Sequence, residues 1–263
     1  MASVSTDTEK PRTPRPRGRH RVRTAVLWVL SILALLVIGM LFWAHSVMMG
    51  ERPASLEVWE NPDIVVTSTD HSVVLEPAEG ASGTGLVFIP GAKVDPYAYM
   101  FKLSGIVEET GATVVITKPT LNLAFFDTRP LETFTADAPD VDEWYLGGHS
   151  LGGVRACQMV DQPDAADDGV VGLVLFGSYC ANDISDSDLQ VLSISGSEDG
   201  LSTPEKIDSA AHLLPEDAVF VEIDGANHAG FGDYGPQPGD GTATIDSAQI
   251  QAAITEALVA FGL

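Results

Sequence analysis

Read for its hydrophobic and polar positions alone, the chain divides into stretches of different character. Residues 1–23 show no apolar periodicity. Thr24–Ala44, TAVLWVLSILALLVIGMLFWA, is an uncharged apolar run of about the 20 residues that a membrane-crossing helix needs. Residues 45–62 are mixed and read as a short stalk. From Asp63 onwards, short β-branched runs alternate with amphipathic stretches. IVVTST and SVVLEP predict two strands joined at Asp70-His71, an antiparallel start. After the Gly/Ser-rich EGASGTG, LVFIPG reads as a buried strand. DPYAYMFKLSGIVEETG predicts a helix with Asp95 as N-cap, Pro96 in its first position and Gly111 past its end.

The rhythm then repeats. ATVVITKP, EWYLGG, GLVLFGS, QVLSISG and AVFVEIDG read as strands, and LGGVRACQMVDQ and TPEKIDSAAHLLP as helices, with a short helix around Leu121–Phe126. The last helix, DSAQIQAAITEALVAF, opens with Asp246 and Gln249 at capping-box spacing. Strands alternating with helices imply an α/β fold, a mostly parallel sheet with helices on both faces. Internal repeats are absent.

Charge sharpens the division. Residues 1–23 contain seven of the fourteen Lys and Arg, only two acids, and three prolines between the arginines. Such a segment cannot bury a core and reads as a disordered basic tail. The basic residues flank only the N-terminal side of the apolar run, and Trp28 and Phe42-Trp43 sit towards its ends. The positive-inside rule therefore leaves the tail in the cytoplasm and everything after Ala44 outside. An uncleaved signal anchor is preferred. The alternative is a signal peptide cleaved near Ala44-His45-Ser46, although the run exceeds the 7–15 residues usual for such a core. Both readings export the domain. From His45 onwards 35 Asp and Glu face 7 Lys and Arg, a formal −28. That excess argues against a nucleic-acid partner, which requires clustered cations. Cys157 and Cys180 both fall in the exported part, and one disulfide or two buried thiols are both compatible with their spacing. No CxxC or His-rich cluster suggests a metal.

Chemistry enters at GGHSLGG, residues 147–153. Strand, sharp turn, helix is the context in which G-x-S-x-G carries meaning, because the turn strains the serine and brings its flanking positions together. Ser150 is the candidate nucleophile. A serine at its ordinary pKa needs a base and an orienting acid, expected in the order Ser, Asp, His. Asp199, in the loop after QVLSISG, supplies the acid, and His228, in the loop after AVFVEIDG, the base. Catalytic groups collect at this edge of open α/β sheets. Glu198 and Asp183 are competing acids. Of the other histidines, His20, His45, His71 and His212 lie in the tail, at the membrane, in the hairpin and on a helix, and His149 reads as a packing or hydrogen-bonding residue of the elbow. The oxyanion donors are expected from the backbone N–H of Leu151 and of Ala92, the latter in PGAKV. No metal and no organic cofactor is needed.

These residues resemble the α/β-hydrolase superfamily, and more narrowly the small bacterial "alpha/beta hydrolase fold-5" group, similar in style to dienelactone hydrolases and carboxylesterases. The resemblance runs from about Glu57 to Phe261 through VFIPGAKVDPYAY, TKPTLNLAFFD, GGHSLGG, SISGSEDGLSTPEKI and GANHAGFGDYGPQPGDG. It implies Ser150 as nucleophile, Asp199 as acid and His228 as base. It also implies that residues 118–126 and 230–241 line the site, or else are ordered loops packed for structural reasons. Only YCANDISDSDL separates GLVLFGS from QVLSISG, too little for the cap domain that many members carry, so a shallow, open site is expected.

The resulting expectation is an α/β-hydrolase domain over residues 63–263 behind a transmembrane helix and a stalk. It would act outside the cytoplasm on a small-molecule ester through an acyl-enzyme. An envelope acyltransferase with the same triad, and a non-catalytic binding module on a hydrolase scaffold, are the alternatives. The natural ester and the oligomeric state are not written in the sequence.

Overall fold

The computed structural model describes residues 17–163, 165 and 168–263. Helix α1, Arg17–His45, contains the apolar run. Its stretch His20–His45 is long and apolar enough to cross a membrane by length and composition. Most of the expected basic tail lies outside the described residues, but positions 17–23 form the first turns of α1 instead of a disordered end. Extending an existing helix adds one hydrogen bond for each residue fixed, whereas starting one does not, and the last proline of the tail, Pro16, immediately precedes α1.

A compact unit covers Ala44–Leu263. It is built on one eight-stranded sheet in the order β1-β2-β4-β3-β5-β6-β7-β8. The strands are β1 Ile64–Ser68, β2 Ser72–Pro77, β3 Thr84–Ile89, β4 Thr113–Thr117, β5 Glu143–His149, β6 Val170–Phe176, β7 Gln190–Gly196 and β8 Val219–Ile223. β2 is antiparallel to β1 and β4, and all other pairs are parallel. Each predicted strand is present, because each is a short β-branched run bounded by turn residues.

The two-residue period of the strands divides the core. Leu86 and Phe88 face one side with Val114 and Ile116, where α3 (Met100–Thr110) and α7 (Ser247–Phe261) cover them. Val87 and Ile89 face the other with Val115 and Leu146, where α4 (Glu132–Thr135) and α5 (Leu151–Val160) pack. Helix α6, Pro204–Ala210, joins β7 to β8. The Asp95 carboxylate caps the Tyr97 N–H, but the turn it caps, Pro96–Tyr99, is 3-10. Gly111 ends α3 in the left-handed conformation at φ 72°. Both hydrogen bonds of the predicted capping box at Asp246 and Gln249 are formed.

The stretch expected as a stalk is folded onto the domain. The Met48 N–H donates to the Lys93 carbonyl at 2.7 Å, and the Asp95 N–H to the Met48 carbonyl at 2.9 Å. Helix α2, Arg52–Glu60, buries Val58. Its polar sequence gives little periodicity to read, and packing against α3 decides it. Cys157 and Cys180 form a disulfide with Cα atoms 5.5 Å apart. It ties α5 to the connection after β6, which contains neither helix nor strand between Gly177 and Leu189 and forms no cap.

Candidate active site

Ser150 sits between the last residue of β5 and the first of α5 with φ 53° and ψ −123°. Positive φ is costly for any residue with a Cβ, and it persists only where the surroundings over-determine it. Here they do. A Cβ on Gly148 would lie 2.4 Å from the Gly152 carbonyl carbon, and one on Gly152 would lie 2.0 Å from the Ile89 carbonyl oxygen. The glycines therefore let the turn close on itself and seat against the end of β3. The Ser150 N–H donates to the Phe176 carbonyl at 3.0 Å, and the Ser178 hydroxyl donates to the Ser150 carbonyl at 2.7 Å. The elbow is thus fastened to the end of β6. Among the described residues the other non-glycine positions with positive φ are Lys93, Leu121 and Asn122. They gather at the same end of the sheet, with the Lys93 N–H donating to the Asn122 carbonyl at 2.8 Å.

Asp199 and His228, which follow β7 and β8, meet directly: Asp199 Oδ2 lies 2.7 Å from His228 Nδ1. Both are buried, at 3% and 1% exposure, so little solvent competes for the bond. Asp199 Oδ1 accepts from the Leu201 and Ser202 N–H groups at 2.8 and 2.7 Å, which turns Oδ2 towards the imidazole. The competing acids lie elsewhere. Asp183 is exposed and bonded to Ser185, and Glu198 is exposed. His71 pairs with Arg129, and His212 with the Ser209 carbonyl. Ser150 is half-buried, and its hydroxyl makes no hydrogen bond to another described residue. The two loops are nonetheless adjacent, for the rings of His149 and His228 have centroids 4.4 Å apart.

At the end of β3, the N–H groups of Gly91, Lys93 and Val94 are occupied, by the Tyr99 hydroxyl and by the carbonyls of Asn122 and Gly91. That of Ala92 has no acceptor among the described residues. Leu151 is the first residue of α5, where an N–H has no acceptor within the helix. The two candidate oxyanion donors are therefore among the N–H groups that this region leaves open.

Two side chains that the sequence pattern did not single out help to shape the site. The Tyr99 hydroxyl accepts from the Gly91 N–H and shares a hydrogen bond with His149 Nδ1, each at 2.9 Å. Burial pushes the Tyr99 phenol up and holds His149 well below the ordinary histidine value, with repulsion from His228 adding to the effect. A neutral His149 thus braces the loop after β3 through Tyr99 and packs against His228. Asp240 is the second, bonded to main-chain N–H groups of three loop segments. Neither shows a local signature. Tyr99 lies in what reads as an ordinary helix, and Asp240 in a polar loop twelve residues past His228. Of the blocks expected to line the site, 118–126 bonds to the loop after β3 through Asn122, and 230–241 bonds to the loops carrying Asp199 and His228 through Asp240. Among the described residues no group of three or more His, Cys, Asp or Glu side chains converges to hold a metal ion.

The sequence profile of the alpha/beta hydrolase family matches residues 85–252. No curated protein matches the chain. Among solved structures, the chain is similar to the Pyrobaculum calidifontis esterase, with 14% identity, a TM-score of 0.53, and 79% of this chain and 87% of that one covered. It is also similar to Est1E from Butyrivibrio proteoclasticus, at 11% identity and a TM-score of 0.51, covering 76% of this chain and 98% of that one. A thermophilic esterase from Thermogutta terrifontis gives 14% identity and a TM-score of 0.50, over 76% and 98% of the two chains. These likenesses, at low identity, are of fold. With a profile that spans more than half of its length, the chain belongs to the alpha/beta hydrolase family.

Proposed function

We propose that this protein is a serine hydrolase that cleaves carboxylic esters through an acyl-enzyme on Ser150. One observation carries the reading: a buried Asp199–His228 pair at 2.7 Å stands beside a serine held at φ 53° on a strand-to-helix turn. In this reading Ser150 Oγ attacks the ester carbonyl carbon as His228 Nε2 takes its proton. Charge on the carbonyl oxygen is received by the N–H groups of Leu151 and Ala92, which act without reorganisation because they are already fixed. The tetrahedral species collapses, the carbon–oxygen bond to the alcohol breaks, and the imidazolium returns its proton to the departing oxygen. Water then attacks the acyl group, losing its proton to His228, and Ser150 leaves with that proton restored. Asp199 stays ionised throughout and fixes the tautomer and orientation of the ring. With no cap over the sheet edge, the substrate approaches an open site.

The proposed setting is a membrane. The organisation we propose is a basic tail over residues 1–23, an uncleaved anchor over 24–44, a connecting segment over 45–62 and the hydrolase domain over 63–263. Basic residues on the N-terminal flank alone support a cytoplasmic tail and an extracytoplasmic domain.

The test is labelling of the full chain, in detergent, with a fluorophosphonate probe, followed by intact mass. One adduct on the native protein, absent from Ser150→Ala and from a heat-unfolded sample, is expected. An adduct that survives Ser150→Ala, or none on folded protein, would sink the reading.

A further inference from the structure

We propose that Asp240 is a positioning residue that locks the acid-bearing and base-bearing turns together by accepting hydrogen bonds from the main chain of both. Its Oδ1 accepts from the N–H groups of Gly200 and His228, each at 3.1 Å, and from its own neighbour Gly241 at 2.7 Å. Its Oδ2 accepts from the Ala229 N–H at 2.8 Å. Gly200 directly follows Asp199, and His228 is the base itself. One carboxylate thus grips the peptide next to the acid and the two peptides around the base, and each bond is charge-assisted and so stronger than a neutral one.

The surrounding backbone is fitted to this contact. A Cβ on Gly241 would lie 1.9 Å from the Glu198 carbonyl oxygen, and a Cβ on Gly200 would lie 2.7 Å from the Gly241 nitrogen. The turn carrying Asp240 therefore rests main chain against main chain on the turn carrying Asp199, which only glycines permit. Asn227 completes the attachment, donating from Nδ2 to the Gly241 carbonyl at 3.0 Å. Asp199 and His228 arrive from different strands, and their direct contact is a single hydrogen bond. The Glu198 N–H donates to the Ala226 carbonyl at 2.9 Å just before each of them, and Asp240 completes the link on their far side, acting on the imidazole through the His228 main chain.

The two obvious substitutions separate charge-assisted gripping from simple filling of space. In Asp240→Asn the shape is kept, but one acceptor oxygen becomes an NH₂ that must face main-chain N–H donors. In Asp240→Ala all four donors lose their partner. The proposal rests on the triad reading above. The experiment uses the full chain in detergent with p-nitrophenyl acetate as the probe ester. For Asp240→Asn we expect kcat to fall about 100-fold while KM stays within about twofold, as for a misplaced catalytic group. The downfield proton resonance of the Asp199–His228 hydrogen bond should broaden or vanish, a change that mere loss of stability in a still-folded protein does not produce. Wild-type kcat with the resonance intact in folded Asp240→Asn overturns the proposal. Hydrogen exchange on the unsubstituted protein tests it without any variant. Slow exchange at Gly200, His228, Ala229 and Gly241 is expected, and unprotected exchange at Gly200 or His228 overturns it. Full activity of Ser150→Ala defeats the triad reading; loss there beside full activity in Asp240→Asn defeats the clamp alone.

Discussion

At the scale of single residues, the site depends on groups whose ordinary behaviour is altered by burial. His149 has its pKa lowered first by desolvation and then by repulsion from His228. It stays neutral in the folded protein while an unfolded chain protonates it near the ordinary value of about 6.5. Below that pH the unfolded state binds the extra proton, so stability falls as pH falls and is flat above it. The slope from one such group is about 1.4 kcal/mol per pH unit. The difference between the wild type and His149→Gln in urea midpoints across pH 5 to 8, about one and a half units either side of 6.5, isolates it from the carboxylates. A pH-independent difference would show that His149 binds its proton equally well in the folded and unfolded states, against this expectation. The elbow glycines work by size, since the close approaches of Gly148 and Gly152 to backbone atoms leave no room for a Cβ. That feature was legible from G-x-S-x-G. The Tyr99–His149 contact was not, because it joins residues fifty positions apart.

At the scale of elements, α5 is held at two points. Its N-terminus is fastened by Ser150 to β6, and its middle is stapled by the Cys157–Cys180 disulfide to the connection after β6. The bridge closes a loop of sequence separation 23. Removing it with the Cys157→Ala/Cys180→Ala pair is expected to lower the unfolding free energy by ~3 kcal/mol, read from a urea titration. An unchanged midpoint would mean that the surrounding packing already confines that segment. The sequence left the pairing open because two cysteines give a parity but no distance. The missed α2 has a similar origin: Arg52–Glu60 offers Val58 as its buried anchor, and the surface it packs on is assembled from residues about forty positions later.

At the scale of the whole molecule, the part from His45 onwards carries a formal −28. Mutual repulsion of so many like charges disfavours the compact state, and salt relieves it. Raising NaCl from about 0.1 M to about 1 M shortens the screening length from about 10 Å to about 3 Å. The thermal midpoint should therefore rise, measured by circular dichroism on the full chain. A midpoint that falls with salt would show that exposed attractive pairs outweigh the repulsion, and the Lys102–Asp233 pair is not one of these. That pair is buried, and desolvation lowers the Lys102 pKa against the pull of Asp233, so added salt reaches it little.

The sequence by itself determined the strand order along the chain and the elbow at Ser150, and it named the candidate acid and base that follow in turn. Each of these is written in local signals, in β-branched runs between turn residues and in glycines flanking a serine. Only the tertiary structure decided the bond between Asp199 and His228, the disulfide, the brace from Tyr99 to His149 and the grip of Asp240 on two turns. These are meetings of residues far apart in the chain, settled when packing brings separate loops to one end of the sheet, and no local pattern encodes a distance between loops.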